Sequence, residues 1–122
     1  MRTCHQRETY DVEQGSTRIP TIPNVPYLDV VAALNDSGSK LTIFCVNRDL
    51  SRDLAARFDI AGFLPAPRAS VRTLYADSIY EKNDEITPEH IRPNDSSTNV
   101  SSPEFQHTFR HESISVVELT RR

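Results

Sequence analysis

Four carboxylates lie close together in the second half of the chain and are its first candidates for acid–base chemistry: Glu81, Asp84, Glu85 and Glu89. A general acid and a general base can work as a pair when their surroundings perturb the pKa of a carboxyl group. The stretch around these four residues is polar and holds few apolar side chains, so it offers no scaffold for such a perturbation. We therefore predict a solvated acidic loop without a catalytic role.

Two histidines four residues apart, His107 and His111, are the candidates for a metal site. On a helix this spacing would place both imidazoles on one face, as in helical zinc sites. On a strand the same spacing is about 13 Å, which is too long for two ligands of one ion. The residues from 105 to 109 alternate as in a strand, so we predict no metal site.

Other residue types with known chemistry occur in isolation. No serine lies in a G-x-S-x-G setting, and the glycines Gly15, Gly38 and Gly62 are too far apart to form a phosphate-binding loop. We therefore expect no catalytic, metal-binding or cofactor-binding residue in this chain. Three asparagines begin N-x-S sequences, which we interpret as chance occurrences in serine-rich loops: Asn35, Asn94 and Asn99.

The two cysteines lie in different settings. Cys4 lies in a polar segment near the start of the sequence, whereas Cys45 lies within the apolar run TIFCV. A disulfide between them is the alternative to a free thiol at Cys4 and a small buried hydrophobe at Cys45. We predict the second arrangement, because isolated cysteines in apolar strands behave as small core residues.

Composition predicts one domain with a small core. The chain has 122 residues, is 37% hydrophobic and lacks tryptophan, and its mean hydropathy is −0.51. Its net charge of −3 argues against a nucleic-acid or anionic-membrane partner, because both need a basic surface. No run approaches 18 apolar residues, and the first 15 residues hold no apolar segment for a signal peptide. We expect no membrane association and a cytoplasmic location.

The stretch from 25 to 49 carries the strongest structural signal. Two segments rich in Val, Ile, Leu and Phe, 27–34 and 40–47, flank the turn sequence Asn-Asp-Ser-Gly-Ser at 35–39. This arrangement is typical of a β-hairpin. Neither segment alternates cleanly between apolar and polar residues, so we predict that both faces of the hairpin contact protein.

Further strands follow the hairpin. Residues 54–60 place Ala56, Phe58 and Ile60 on one side, and residues 69–76 place Val71, Thr73 and Tyr75 on one side. A helix from 51 to 58 is the competing interpretation of the first segment, but it would have barely two turns. We therefore predict two strands.

The last quarter of the chain combines a polar stretch with two more strands. Residues 77–103 are rich in Asp, Glu, Asn, Ser and Pro and are expected to form a long loop, partly disordered over 94–102. Residues 105–109 and 113–119 again alternate. About six or more short strands predict an all-β fold, an antiparallel, jelly-roll-like β-sandwich spanning 25–120. Residues 1–24, which end in a proline-spaced run, form an extended lead-in.

Several motifs resemble the C-terminal domain of α-L-arabinofuranosidases of glycoside hydrolase family 51. These are VPYLD at 25–29, a strand ending in VNR at 46–48, a loop pattern and a closing strand, ESISVVEL at 112–119. The loop pattern uses Asn83, Pro88, Ile91 and Pro93. The resemblance covers residues 25 to 119, and it departs from the family pattern at Arg110, His111 and Glu112 and in the polar segment 94–102.

The resemblance implies a two-domain enzyme that hydrolyses terminal non-reducing α-L-arabinofuranosyl residues. In that family a (β/α)8 barrel carries the two catalytic glutamates, and the β-sandwich packs against the barrel without supplying either. A barrel alone takes about 250 residues, more than this chain holds. The expected role is therefore structural, with the barrel as the principal partner and further copies of the parent enzyme as a second one.

A second class of function is a free-standing carbohydrate-binding or protein-interaction sandwich. Sugar-binding modules place aromatic side chains on an exposed sheet face, and this chain has nine Tyr and Phe residues but no Trp. Most of these residues alternate toward the predicted interior, so core packing is the expected role of the aromatics.

Overall fold

The computed structural model describes residues 8–13, 20–101 and 103–122. These residues form nine β-strands, and no helix occurs among them. The strands are β1 (Thr9–Val12), β2 (Ile22–Pro26), β3 (Leu28–Leu34), β4 (Lys40–Asn47), β5 (Leu54–Asp59), β6 (Arg68–Tyr75), β7 (Asn94–Asn99), β8 (Glu104–Phe109) and β9 (Ser113–Thr120).

Every paired strand is antiparallel, and the strands form three sheets. The largest has the order β3-β4-β9-β6-β7, the second pairs β5 with β8, and a small third sheet pairs β1 with β2. The first two sheets contribute to one core, which confirms the predicted all-β sandwich. Cys45 lies in this core, as predicted, whereas Cys4 lies outside the described residues.

The predicted hairpin is confirmed as β3 and β4. Its register runs from Leu28 opposite Asn47 to Leu34 opposite Leu41. At the turn, the amide of Asn35 donates to the carbonyl of Lys40 at 3.0 Å, and Gly38 has a φ of +66°. A residue without a Cβ adopts this left-handed conformation at little cost, so the turn favours glycine there.

Among the residues that the structure describes, only one face of the hairpin is covered. Ile43 and Cys45 point into the core, whereas Val31 and Phe44 lie on the opposite face and are exposed. The predicted protein contact is therefore present on one face of the hairpin, and the described residues of this chain do not supply a contact for the other face. The second sheet packs on one side of the five-stranded sheet, and the described chain supplies no layer for the other side.

The segment 54–59 is a strand, which excludes the competing helix. Ala56 and Phe58 are buried and alternate with exposed Arg57 and Asp59. The pairing of β5 with β8 places Phe58 opposite Phe105, and their stacked rings lie 4.9 Å apart. Packing against β8 therefore determines that this segment is a strand, although its local propensity is ambiguous between strand and helix.

Three strands lie wholly or partly in segments that the sequence presents as irregular. The extended lead-in contains β1 and the first residues of β2, and the polar stretch 77–103 contains β7. Strand β7 buries almost nothing, but it pairs with β6 along its length, and the Arg72 guanidinium lies 2.7 Å from the Asp95 carboxylate across the pair. Main-chain hydrogen bonds and cross-strand pairs hold this edge strand without an apolar face, so apolar alternation could not reveal it.

Candidate functional site

The four candidate carboxylates occupy the loop 76–93 between β6 and β7. Asp84 accepts hydrogen bonds from the amide of Thr87 at 2.7 Å, the hydroxyl of Thr87 at 3.0 Å and the amide of Ile86 at 3.0 Å. These bonds, those from Thr87 first, lower the pKa of Asp84. An acid of lowered pKa stays ionised near neutral pH and cannot serve as a general acid there.

The other carboxylates of the loop do not form a catalytic pair either. Glu81 lies 3.2 Å from Nε2 of His90, and Glu85 and Glu89 are exposed. Retaining glycoside hydrolysis requires two carboxyl groups about 5 Å apart across a bound sugar, with the pKa of one of them raised. Of the described loop carboxylates, Glu81 is half-buried and the others are exposed to water.

A shallow cleft of about 220 Å³ lies beside this loop. It is lined by Tyr75, Ala76, Asp77, Glu81, His90, Arg92 and Asn94. Asp77, Glu81 and Asn94 of this lining already have partners within the chain. Arg110 pairs with Asp77 and lies over the Tyr75 ring, with the guanidinium carbon 3.9 Å from the ring centroid. The ring of Tyr75 is thereby covered by a cation and cannot stack on a sugar from that side.

The two histidines considered as metal ligands, His107 and His111, lie in different environments. His107 is on β8, half-buried, and its ring meets the Phe109 ring edge-on at 4.8 Å. Burial lowers the pKa of His107, so its imidazole is neutral at physiological pH. His111 lies in the turn after β8, where its amide donates to Asp53. Within the parts of the chain that the structure covers, no group of three or more His, Cys, Asp or Glu residues could hold a metal ion.

A buried polar junction that the sequence analysis did not single out lies where β4 ends. The side-chain amide of Asn47 donates to the carbonyls of Arg52 and Phe109, each at 3.1 Å. Asp49 accepts from the amides of Ser51 at 3.0 Å and Arg52 at 2.9 Å, and from Nε of Arg52 at 2.6 Å. These bonds tie the end of β4 to the start of β5 and the end of β8. The junction is structural, since its polar atoms point at the chain's own backbone.

The junction predicts a pH dependence of stability. Hydrogen bonds, first that from the Ser51 amide, lower the pKa of Asp49 from 3.8 to about 2. A carboxyl group with a lowered folded-state pKa stabilises the fold above about pH 4, and this stabilisation is lost as the pH falls from about 4 to about 2. Asp49→Asn should therefore be less stable than the wild type at pH 7, with a difference that shrinks toward pH 2.

Urea unfolding of both proteins at pH 7, 4 and 2.5 measures this effect. Asp36→Asn, a change of the same kind at an exposed turn residue, is the matched control. A stability difference between Asp49→Asn and the wild type that stays constant over this range would contradict the assigned role of Asp49.

Most aromatic side chains pack inside the sandwich or against each other, as expected. Phe58, Phe63, Phe105 and Phe109 are buried. The Tyr27 ring is half-buried, lies 4.8 Å from the Tyr10 ring and has the Arg52 guanidinium 5.2 Å from its centroid. Phe44 and Tyr80 differ from this pattern, because both are exposed. The described aromatics thus form no flat stacking platform for a sugar.

The side of the five-stranded sheet that faces away from the core carries a continuous apolar surface. Phe44 pairs with Val31 on one side and Val116 on the other, and Ile114 pairs with Val46 and Leu74. We call these six residues the outer apolar face. Their exposed fractions include 63% for Val31, 51% for Ile114, 45% for Phe44 and 36% for Leu74. Sheet faces that meet water usually carry polar residues, so an exposed apolar face of this extent is unusual.

Charged pairs border the outer apolar face. Lys40 lies 3.6 Å from Glu118 at one end, and Arg72 contacts Asp95 beside Val116. An apolar centre with a charged rim is the usual anatomy of a protein–protein interface. The outer apolar face therefore has the composition of a protein–protein interface.

Comparisons with known proteins show which class of protein this chain resembles. No protein-family model and no curated protein sequence matches the chain. Among solved structures, the α-L-arabinofuranosidase of Thermotoga maritima, crystallised with arabinose, matches with a TM-score of 0.82 and 28% identity over 93% of this chain and 24% of that chain. The family 51 enzyme of Thermotoga petrophila RKU-1 matches with a TM-score of 0.81 and 30% identity, covering 91% of this chain and 23% of that one.

A third match has lower identity. The family 51 arabinofuranosidase of Xanthomonas axonopodis pv. citri has a TM-score of 0.72 and 21% identity over 93% of this chain and 22% of that chain, which supports the fold alone. The chain thus spans about a quarter of the length of these enzymes.

Within that class, the chain is related to the β-sandwich domain of family 51 α-L-arabinofuranosidases. This relationship confirms the resemblance that its sequence motifs indicate.

Proposed function

We propose that this chain serves as the accessory β-sandwich of an α-L-arabinofuranosidase that removes terminal non-reducing arabinofuranosyl residues from arabinose-containing glycans. The catalytic glutamates belong to a (β/α)8 barrel, and this chain supplies none of them. The outer apolar face carries the proposal, because it gives a domain of this extent a surface on which the barrel can pack. Burying a contiguous apolar sheet face is favourable in proportion to the area removed from water.

The proposal also covers the partners of the chain and its location. The barrel is the direct partner, and copies of the parent enzyme assemble into a homo-oligomer. Nucleic acid and membranes are not partners, in keeping with the net charge of −3. In the described parts of the chain, no helix is long and apolar enough to span a membrane. A cytoplasmic location stays a prediction.

The absence of catalysis is tested directly on the 122-residue chain. We expect no turnover of an aryl α-L-arabinofuranoside above the buffer rate, because the described loop carboxylates hydrogen-bond to backbone or to a neighbouring side chain or are exposed to solvent. Measurable turnover by the purified chain would contradict the proposal. Turnover that survives the substitutions Glu81→Gln, Glu85→Gln and Glu89→Gln would place the active site outside the acidic loop.

A further inference from the structure

The loop 76–93 exposes three large apolar side chains. The exposed fractions are 90% for Ile86, 86% for Tyr80 and 60% for Ile79. Loops normally present small or polar residues to water, and these three side chains add nothing to the core of the sandwich. Their exposure is unfavourable unless a partner covers them.

The same loop is held in one shape by its polar residues. The side chain of Asn83 spans the loop, donating to the carbonyl of Ile91 at 2.9 Å and accepting from the amide of Ile91 at 2.6 Å. Asp84 closes a turn onto Thr87, and Glu81 pairs with His90. These polar groups thus bind within the loop while the apolar groups face solvent. A pre-shaped loop loses little conformational entropy on binding, which favours association.

The position of the loop indicates what covers it. It begins at Ala76, two residues after Leu74 of the outer apolar face, so it leaves the sheet beside the surface proposed to meet the barrel. The matched Thermotoga maritima enzyme is about four times as long as the segment it shares with this chain, because that segment is 24% of its length. A partner within the same enzyme is therefore available next to the loop.

From this geometry we infer that the loop 76–93 is a second, preformed docking element, which seats Ile79, Tyr80 and Ile86 against the catalytic domain of the same enzyme. This inference rests on the proposed function and extends it from the sheet face to a specific loop. The loop sets the orientation of the sandwich on the barrel, since it adds contacts beyond the edge of the sheet.

Site-resolved thiol labelling in an assembled enzyme tests the inference. The assembled form is a chimera in which this chain replaces the matching segment of the Thermotoga maritima arabinofuranosidase. Single cysteines are introduced as Ile86→Cys in the loop, Ile114→Cys on the outer apolar face and Asp36→Cys in the distant, exposed turn of the hairpin. Alkylation by iodoacetamide is followed by mass spectrometry in the chimera and in the isolated chain, each carrying Cys4→Ser.

We expect alkylation of Ile86→Cys and Ile114→Cys to be at least about tenfold slower in the chimera than in the isolated chain, and alkylation of Asp36→Cys to be unchanged. Protection of Ile114→Cys without protection of Ile86→Cys would overturn the docking role of the loop and leave the proposed function intact. Protection of Ile86→Cys alone would support the loop and overturn docking through the sheet. Protection of neither would overturn both.

Two results with the isolated chain would assign the loop to another occupant. Slower labelling of Ile86→Cys at high protein concentration would indicate a second copy of the chain. Slower labelling in the presence of arabinan oligosaccharides would indicate carbohydrate binding through Tyr80. Either result, combined with unchanged labelling in the chimera, contradicts docking onto the catalytic domain.

Discussion

Phe109→Ala is expected to lower the free energy of unfolding of the isolated chain by about 3–5 kcal/mol. Phe109 is 1% exposed, and its ring meets the Phe58 ring edge-on at a centroid distance of 6.0 Å. His107 packs on the same ring at 4.8 Å. Removing the ring forfeits its burial and leaves a cavity that rigid neighbouring strands cannot fill.

The loss is large for a domain of this size. Small domains are stable by only about 5–15 kcal/mol, so the variant should unfold at much lower urea concentration. Ile86→Ala is the matched control, since its side chain is exposed and its replacement should change stability by less than about 0.5 kcal/mol. A loss below about 1 kcal/mol for Phe109→Ala would show that the aromatic cluster is not the centre of the core.

Asn47→Leu is expected to cost about 2–4 kcal/mol. The side-chain amide of Asn47 satisfies two backbone carbonyls, of Arg52 and Phe109, and Asn47 is 2% exposed. Leucine has a similar volume but no donor, so both carbonyls lose their side-chain partner, at about 1–3 kcal/mol for a buried acceptor left unsatisfied. Urea unfolding at neutral pH measures the difference from the wild type.

An exposed asparagine provides the control for this substitution. Asn94 also donates its side-chain amide to a backbone carbonyl, that of Arg92 at 3.3 Å, but it is exposed to water. Asn94→Leu should cost less than about 1 kcal/mol, because water replaces the lost donor. Equal losses for the two variants would contradict the view that burial makes the Asn47 bonds important.

The parts of the fold that depend on local pattern were predictable. The turn sequence at 35–39 indicates the β3–β4 hairpin, and period-two alternation indicates β5, β6, β8 and β9. Strand β7 could not be recognised in this way, because its sequence NDSSTN has no apolar residues to alternate. Its stability comes from pairing with β6, and pairing between distant segments leaves no local signal.

The covering of the hairpin faces was also not predictable from sequence. Apolar residues on both sides of β3 and β4 indicate that both sides meet protein, but they do not say whether that protein belongs to the same chain. Phe44 and Ile114 are separated by 70 positions, and only the strand order β4-β9 joins them into one surface. The outer apolar face therefore emerges from the register and not from any motif.

The candidate functional residues also divide into those that could be evaluated from the sequence and those that could not. The spacing of His107 and His111 and the polar setting of the acidic loop could be evaluated from sequence. The role of Asp49 could not be evaluated from the sequence in this way. An aspartate two residues before a serine in a polar connection is nevertheless typical of a side chain that caps a turn. Its depressed pKa arises from three donors on Ser51 and Arg52, and the alternation pattern does not show how these donors surround the carboxylate.

The most direct test of the central claim is the activity of the chimera in which this chain replaces the matching segment of the Thermotoga maritima arabinofuranosidase. Release of an aryl leaving group from an α-L-arabinofuranoside is measured for the chimera and the parent enzyme at equal concentration. We expect turnover within about tenfold of the parent, a change of about 1.4 kcal/mol in the barrier. A folded chimera without turnover, or one that does not assemble, would contradict an accessory role for this chain in such an enzyme.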